Sequence, residues 1–457
     1  MTEEKPARPK FPATFWTANT IELFERAAYY SMASFMVIYL KETLGMRPAT
    51  ATFLNGSLLW GLIYFLPILS GALADKFGYK RLLTVSFVMI SSAYFLIGNV
   101  QKFWPGLIGA GSRESVSYAV PIVFGILLLG AGGSVVKPCI AGTVQKTAGT
   151  RATLAFGIFY MIINIGSITG RGVSFFTRKI LNLGIPAIFT YASTIFALIG
   201  LAVVLFIYRE PEYVSDGIKD GQIVQKRTLG QAVLGIFIVL RDVKFVFFLL
   251  VIGLFWVPYT QLYNLMPLFL RSIDPDAAVE LYTLTNPVMI VCLQLLVTKS
   301  LKKWTPVKSI ILGAAVITAG MLVNVLPPLL FSDISRKVNV LGLALPLAGV
   351  FMIISIASMA LGEMMASPRI YEYLGSIAPK GQEGLYLGYA NLPIALGSII
   401  SGLLGGRLFE RFMVMPQKSG RPVEIAPMWL IIAGIGFCSM AGLALYDRLL
   451  TKKLKRF

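Results

Sequence analysis

The chain has 457 residues, of which 56% are hydrophobic and only 14% charged, with a mean hydropathy of +0.74. Such usage excludes an ordinary soluble domain and points to a protein that crosses a bilayer many times. The net charge of +19 is dispersed between apolar segments rather than massed on one module, so no nucleic-acid partner is expected.

A bilayer core needs about 20 apolar residues per helix, and about twelve such segments can be marked out. They run over 13–42, 49–74, 81–100, 117–145, 152–178, 186–208, 245–271, 276–299, 307–329, 340–377, 383–411 and 427–449. The expected class is therefore an all-α membrane protein. The terminal arms and alternate loops hold about 24 Lys and Arg against about 13 on the other side, which by the positive-inside pattern puts both termini in the cytoplasm. A multi-pass protein of the plasma (inner) membrane is the expectation. Residues 1–12 read as a cytosolic tail leading into a permanent helix, not a cleaved signal peptide, and 450–457 as a basic tail.

The first span contains IELFERAAYY. Glu22, Glu25, Arg26, Tyr29, Tyr30 and Ala33 fall on one helical face. A charge at the bilayer centre costs at least about 2.5 to 3.5 kcal/mol on insertion scales, so this face is expected to line a cavity or to pair internally. Glu22 and Arg26 are spaced to pair at i,i+4, which would leave Glu25 free for a proton or a partner on another helix. After the second span comes GALADKFGYKR, with Asp75, Lys80 and Arg81 beside two glycines. The fourth span holds Lys137, and the fifth holds Asn164 and Arg171. Arg171 is read either as a gate residue or as an anion-binding group.

The polar interval Arg209 to Arg227 divides the spans six and six. This gives a first bundle over 13–208, a linker over 209–244 with an amphipathic helix along the membrane surface, and a second bundle over 245–449. The second half carries Gln261, Asn286, Glu363 and Ser367. Asn164 and Asn286 serve equally as interhelical glue or as substrate contacts, whereas Phe255 and Trp256 read as packing. With no histidine in the chain, and with Cys139, Cys292 and Cys438 isolated in apolar segments, the cysteines read as small core residues. Neither a metal site nor an enzyme's nucleophile and base can be assembled, and no cofactor is expected.

ELFERAAYY resembles the ExxER…YY element of the proton-dependent oligopeptide transporter family. GAGGSVVKPCI at 130–140 resembles that family's fourth-helix GxGG…KP segment, and FGIFYMIINIGS at 156–167 its FYxxINxGS signature. LFWVPYTQLYN at 254–264, TNP at 285–287, and GEMMASP at 362–368 followed by APKG are similar to its seventh-, eighth- and tenth-helix motifs. GALADKFGYKR looks like the loop between helices two and three of the major facilitator superfamily.

The resemblance implies a major facilitator fold of two six-helix bundles, acting as a monomer by alternating access and coupling proton entry to uptake of di- and tripeptides. It implies proton coupling by Glu22, Glu25, Arg26 and Lys137, with Lys137 close enough to pair with a glutamate. It implies substrate contacts from Tyr29, Tyr30, Tyr64, Lys137, Asn164, Gln261, Asn286, Glu363 and Ser367, with Glu363 facing the peptide ammonium. Asp75, Lys80 and Arg81 would form a cytoplasmic gate.

Three positions depart from the family pattern: Ala33 in place of a second arginine, Thr260 in place of an acid, and Ala390 in place of a tryptophan. They keep open a carrier of another small organic or inorganic anion, or a degenerate transporter acting as a sensor.

Overall fold

The computed structural model describes residues 11–105, 116–211, 241–340, 342–377 and 389–451, with Gly230 and Gly235. The expected amphipathic linker helix, most of the polar interval, the APKG loop and most of both tails lie outside the described residues.

Eleven helices among the described residues are long and apolar enough to cross a membrane. In chain order they are α2 (Pro48–Ala74), α3 (Tyr79–Gly98), α4 (Val120–Thr147), α5 (Ala152–Ile180), α6 (Ile185–Phe206), α7 (Val243–Ile273), α8 (Val279–Ser300), α9 (Pro306–Val323), α10 (Leu347–Leu374), α11 (Leu392–Lys418) and α12 (Ile425–Leu449). The helix before them, α1 (Ala13–Ala33), is long enough but carries Glu22, Glu25 and Arg26. It breaks at Ser34 and Phe35 and resumes as Met36–Ile38, running on to Thr43.

Local chemistry sets several ends. Pro48 and Pro306 stand in the first turns of α2 and α9, where the missing N–H would have had no helical partner. Asp242 caps α7 by accepting from the backbone N–H of Lys244 at 3.0 Å and Phe245 at 3.2 Å. Between α2 and α3, Gly78 turns the chain at φ +86°, a backbone region that favours glycine.

The packing of the second half repeats that of the first, six helices on. α1 packs on α5 and α6 as α7 packs on α11 and α12; α3 packs on α4 and α6 as α9 packs on α10 and α12; α2 packs on α4 as α8 packs on α10. The halves meet through the equivalent pairs α5 with α8 and α2 with α11. The six-plus-six repeat, faint in the residues, is plain in the packing.

Two expectations are corrected. Before α10 the chain forms an antiparallel hairpin, β1 (Lys337–Val340) with β2 (Leu343–Pro346), so the tenth helix starts at Leu347 rather than near 340. Gly342, at φ +85°, makes the turn, and its N–H donates to Asn339 Oδ1 at 2.9 Å. Of the three cysteines only Cys139 is in the core; Cys292 and Cys438 are exposed.

Candidate functional site: a charged cavity between the halves

The bilayer end holding the start of α1 and the end of α12 is called here the terminal side, and the opposite end the far side. Ion pairs between the halves lie at the far side. Arg178 at the end of α5 meets Glu280 at the start of α8 at 3.1 Å. Arg271 at the end of α7 meets Glu42 after α1 at 2.6 Å, and Arg47 before α2 meets Glu410 of α11 at 2.9 Å. Deeper on that side, Thr52 Oγ1 donates to Gly402 O at 2.7 Å, and Asn55 Nδ2 donates to Tyr263 O and Asn264 Oδ1, each at 3.0 Å.

Towards the terminal side the halves part. α8 has buried residues from Val279 to Ile290, and none from Val291 to Ser300. On α5 the buried residues, Ala155 apart, begin at Asn164. The far side is closed, and burial between the halves thins towards the terminal side.

α1 brings the first charged cluster to this cavity. It lies close against α5 because Gly166 and Gly170 face it; a Cβ on Gly170 would stand 2.4 Å from Ala27 O. Ser31 Oγ donates to Gly170 O at 3.1 Å, and Ser174 Oγ returns a bond to Ser31 O at 2.7 Å. Glu22, Glu25 and Arg26 are all buried. Arg26 Nε hydrogen-bonds Glu25 Oε2, while Glu22 Oε1 stands 3.5 Å away as an ion pair only. The expected arrangement is thus reversed: Glu25 takes the arginine's hydrogen bond, and both oxygens of Glu22 are left without one. The i,i+4 ion pair does form, but the adjacent side chain reaches the guanidinium edge first.

Aromatic rings continue the wall. Arg26 lies 5.1 Å from the Tyr29 ring centre and 5.9 Å from that of Tyr30. Trp60 touches Tyr29, Tyr64 and Tyr263 at centroid distances of 6.1, 5.6 and 4.8 Å. Lys137 of α4 sits 5.5 Å from the Tyr64 ring centre. Among the described residues it has no carboxylate within 4.0 Å, so the implied pairing with a glutamate is not made in this state. It does lie within electrostatic range of Glu22 and Glu363.

The second half contributes Glu363 of α10, whose Oε2 accepts from Tyr259 OH at 2.7 Å and Asn286 Nδ2 at 3.1 Å. Asn286 therefore holds the carboxylate. Asn164, expected to assist, donates to Tyr160 O of its own helix at 2.9 Å instead. Gln261 sits where α7 breaks, one helix turn after Pro258, and both polar atoms of its buried amide lack a partner. Ser367, just before Pro368 in α10, likewise has an unpartnered hydroxyl. Thr260 turns its hydroxyl onto the Trp256 carbonyl at 2.8 Å.

The gating residues fall in two places. Arg171 is buried at the junction of α5, α7 and α8, donating to Thr283 Oγ1 at 3.0 Å, Tyr263 OH at 2.9 Å, Ser167 O at 3.2 Å and Ser167 Oγ. Asp75 stands one residue past the end of the α2 span, still in the helical segment Pro67–Phe77, and its side chain lies outside the described residues. Lys80 is half-buried and Arg81 exposed at the start of α3. There the backbone N–H groups of Tyr79 and Lys80 donate to Glu210 at 3.2 and 2.7 Å. A carboxylate at a helix N-terminus is favourable.

Sequence reading missed Glu210, the Tyr259 clamp on Glu363 and the three far-side ion pairs. Charges flanking spans were visible, but not which would meet. A shallow pocket by Gly98, Lys102, Leu183 and Thr190 shares no residue with this site.

Residues 21–335, more than half of the chain, match the family model described as the Major Facilitator Superfamily. Among curated proteins, dipeptide and tripeptide permease A of Cronobacter turicensis is 30% identical over 162 residues, 35% of this chain and 29% of that permease. The Escherichia coli permease of the same name is 29% identical over 162 residues, again 35% and 29%. The matched stretch thus spans less than a third of these permeases' length. Among solved structures, a peptide transporter POT in complex with sulfate superposes with a TM-score of 0.70 at 18% identity, covering 97% of both chains. A POT family transporter in complex with 5-aminolevulinic acid gives 0.70 at 17% identity, covering 96% of both. The likeness is to the oligopeptide transporter branch, and its fold is this fold from end to end. The chain belongs to the Major Facilitator Superfamily.

Proposed function

We propose that the protein is a proton-coupled symporter of di- and tripeptides or related zwitterions, working by alternating access in the plasma (inner) membrane with both termini cytoplasmic. The terminal side is then the cytoplasmic side and the far side the outer one. The division into bundles over 13–208 and 245–449, and function as a monomer, belong to the same reading. The observation that carries it is the charge layout of the cavity. Glu363, held by Tyr259 and Asn286, is an anion on the second half, while Arg26 and Lys137 are cations on the first. A zwitterion needs both, a peptide's length apart. Tyr29, Tyr30 and Tyr64 offer rings with polar tips to side chains of varied size. Gln261 and Ser367, with unpartnered polar atoms, suit backbone amides, and Asn164 is assigned to assist them.

Glu22, Glu25 and Arg26 supply the coupling. Arg26 is shared between two carboxylates, so a proton on Glu25 releases the guanidinium towards Glu22 or a substrate carboxylate, and proton loss restores the pair. With no histidine in the chain, carboxylates carry this step. Lys80, Arg81 and Asp75 remain assigned to the cytoplasmic gate, with Glu210 fastening the start of α3 beneath it.

A carrier of small anions is the second reading, favoured by Arg171 and Lys137 having no carboxylate within 4.0 Å among the described residues. The clamped Glu363 weighs against it, since a pure anion gains nothing from a facing carboxylate. A sensor would need to bind without moving cargo. The test is Glu25→Gln in proteoliposomes: gradient-driven dipeptide accumulation should be lost while counterflow exchange persists. Undiminished accumulation would overturn the coupling assignment.

A further inference from the structure

Arg171 has no carboxylate within 4.0 Å among the described residues, although it is only 1% exposed. All its acceptors are neutral: the hydroxyl and carbonyl of Ser167 on its own helix, and two hydroxyls from the other half. Neutral acceptors satisfy its N–H groups without cancelling its charge. Seven residues further along α5, Arg178 faces the same half and is given the carboxylate of Glu280. The fold therefore places a carboxylate on one buried arginine of this interface and withholds it from the other.

The pattern of bonds is specific. Nε donates to Thr283 Oγ1 at 3.0 Å and Nη2 to Tyr263 OH at 2.9 Å. Nε and Nη2 form the edge of a guanidinium that takes a carboxylate with two parallel bonds. Two hydroxyl oxygens, one from α8 and one from α7, thus occupy the places of two carboxylate oxygens. Thr283 is itself held by Ser34 Oγ at 2.8 Å. The half-buried Tyr30 ring lies 4.6 Å from the Arg171 guanidinium and also faces Arg26, linking this point to the cavity.

We propose that Arg171 is the receptor for the substrate's carboxylate when the cavity opens on the far side, and that Tyr263 and Thr283 are the neutral mask that replaces the carboxylate when that side closes. This rests on the transporter reading above. Separation of the halves at the far side carries both hydroxyls away with α7 and α8. The Nε and Nη2 edge is then bare and charged, while Ser167 still holds Nη1 and the orientation. A substrate carboxylate docks there bidentately. On closure the hydroxyls return and displace it, releasing the substrate towards Arg26 and Lys137 without stranding a charge pair in the closed interface.

The test uses the full chain in oriented proteoliposomes, with dialanine and its C-terminal amide presented to the far face. Arg171→Gln should raise the far-face KM for dialanine at least tenfold and bring the acid-to-amide preference towards one. Arg171→Lys, which keeps charge but not the fork, should fall between. Tyr263→Phe combined with Thr283→Val leaves the receptor and removes the mask, so it should lower the same KM, because the far-side-open state is more populated. A purely structural role moves both variants in the same direction. The proposal is overturned if Arg171→Gln affects acid and amide alike, or if the mask variant raises the KM. Should Arg171→Gln fail to fold, Arg171→Lys and the mask variant decide the matter between them. A wild-type chain that takes up neither compound refutes the peptide reading, and the receptor falls with it; wild-type uptake with an unaltered Arg171→Gln refutes the receptor alone.

Discussion

Replacing Glu280 with glutamine should open the far side. Glu280 is fully buried and the Arg178 side chain is 10% exposed, with their nearest oxygen and nitrogen 3.1 Å apart; removing one partner of such a pair typically costs about 3 to 5 kcal/mol. The pair bridges α5 and α8, so it exists only while the far side is closed, and its loss falls on that state alone. Even the low figure of about 3 kcal/mol shifts the equilibrium roughly 150-fold towards far-side opening. By contrast, Arg47 is 60% exposed although its partner Glu410 is 10% exposed, and a pair open to water on one side is worth about 1 kcal/mol. The assay is the rate at which a membrane-impermeant thiol reagent, applied at the far face, labels Ser34→Cys in a chain without its native cysteines. Ser34 is 1% exposed behind the closed interface. Glu280→Gln should speed labelling by more than tenfold, Glu410→Gln by less than about sixfold, and Glu280→Gln with Arg178→Gln should fall between. Equal rates for the two single variants would refute the assignment of the clasp to the buried pair.

Glu363→Gln should raise the KM for dialanine about tenfold or more while leaving an N-acetylated dipeptide little changed, since one charge-assisted contact is worth about 1.5 to 3 kcal/mol; an equal loss for both would refute its role towards the ammonium group. Partial burial would raise the Asp274 carboxyl, but the hydrogen bond from Lys337 at 2.6 Å and the N–H of Asp276 outweigh it and hold it below the usual range. Its contribution is therefore fully present above the unfolded value of about 4 and lost as pH falls through the lower folded value. Amide exchange in β1 and β2 should quicken below about pH 4 in the wild type, and the step should vanish in Lys337→Ala. Gly170→Ala puts a methyl 2.4 Å from Ala27 O, so α1 and α5 must separate at a cost of about 1 to 3 kcal/mol, read as a lower melting temperature in detergent.

Much of this architecture is legible in the residues because lipid allows few solutions. Hydropathy locates the spans, and the charges of α1 announce a cavity. What composition cannot give is the partner across a gap. Glu22 and Glu25 have the same chemistry and stand four residues and one residue before Arg26, and only side-chain geometry decides which accepts the hydrogen bond. The hairpin before α10 is hidden because KVNVLGLALP is as apolar as a span, with Gly342 as its one turn signal. Arg171 stands out as a lone charge in an apolar run, but that its edge is filled by two hydroxyls from the other half depends on three helices meeting.

The central claim is that a proton gradient drives peptide uptake through this cavity. The direct measurement is accumulation of labelled dialanine by proteoliposomes holding the wild-type chain, with an inward proton gradient imposed and then collapsed by an ionophore. Uphill accumulation that disappears on collapse is the predicted result; uptake that only equilibrates, with or without the gradient, would contradict it.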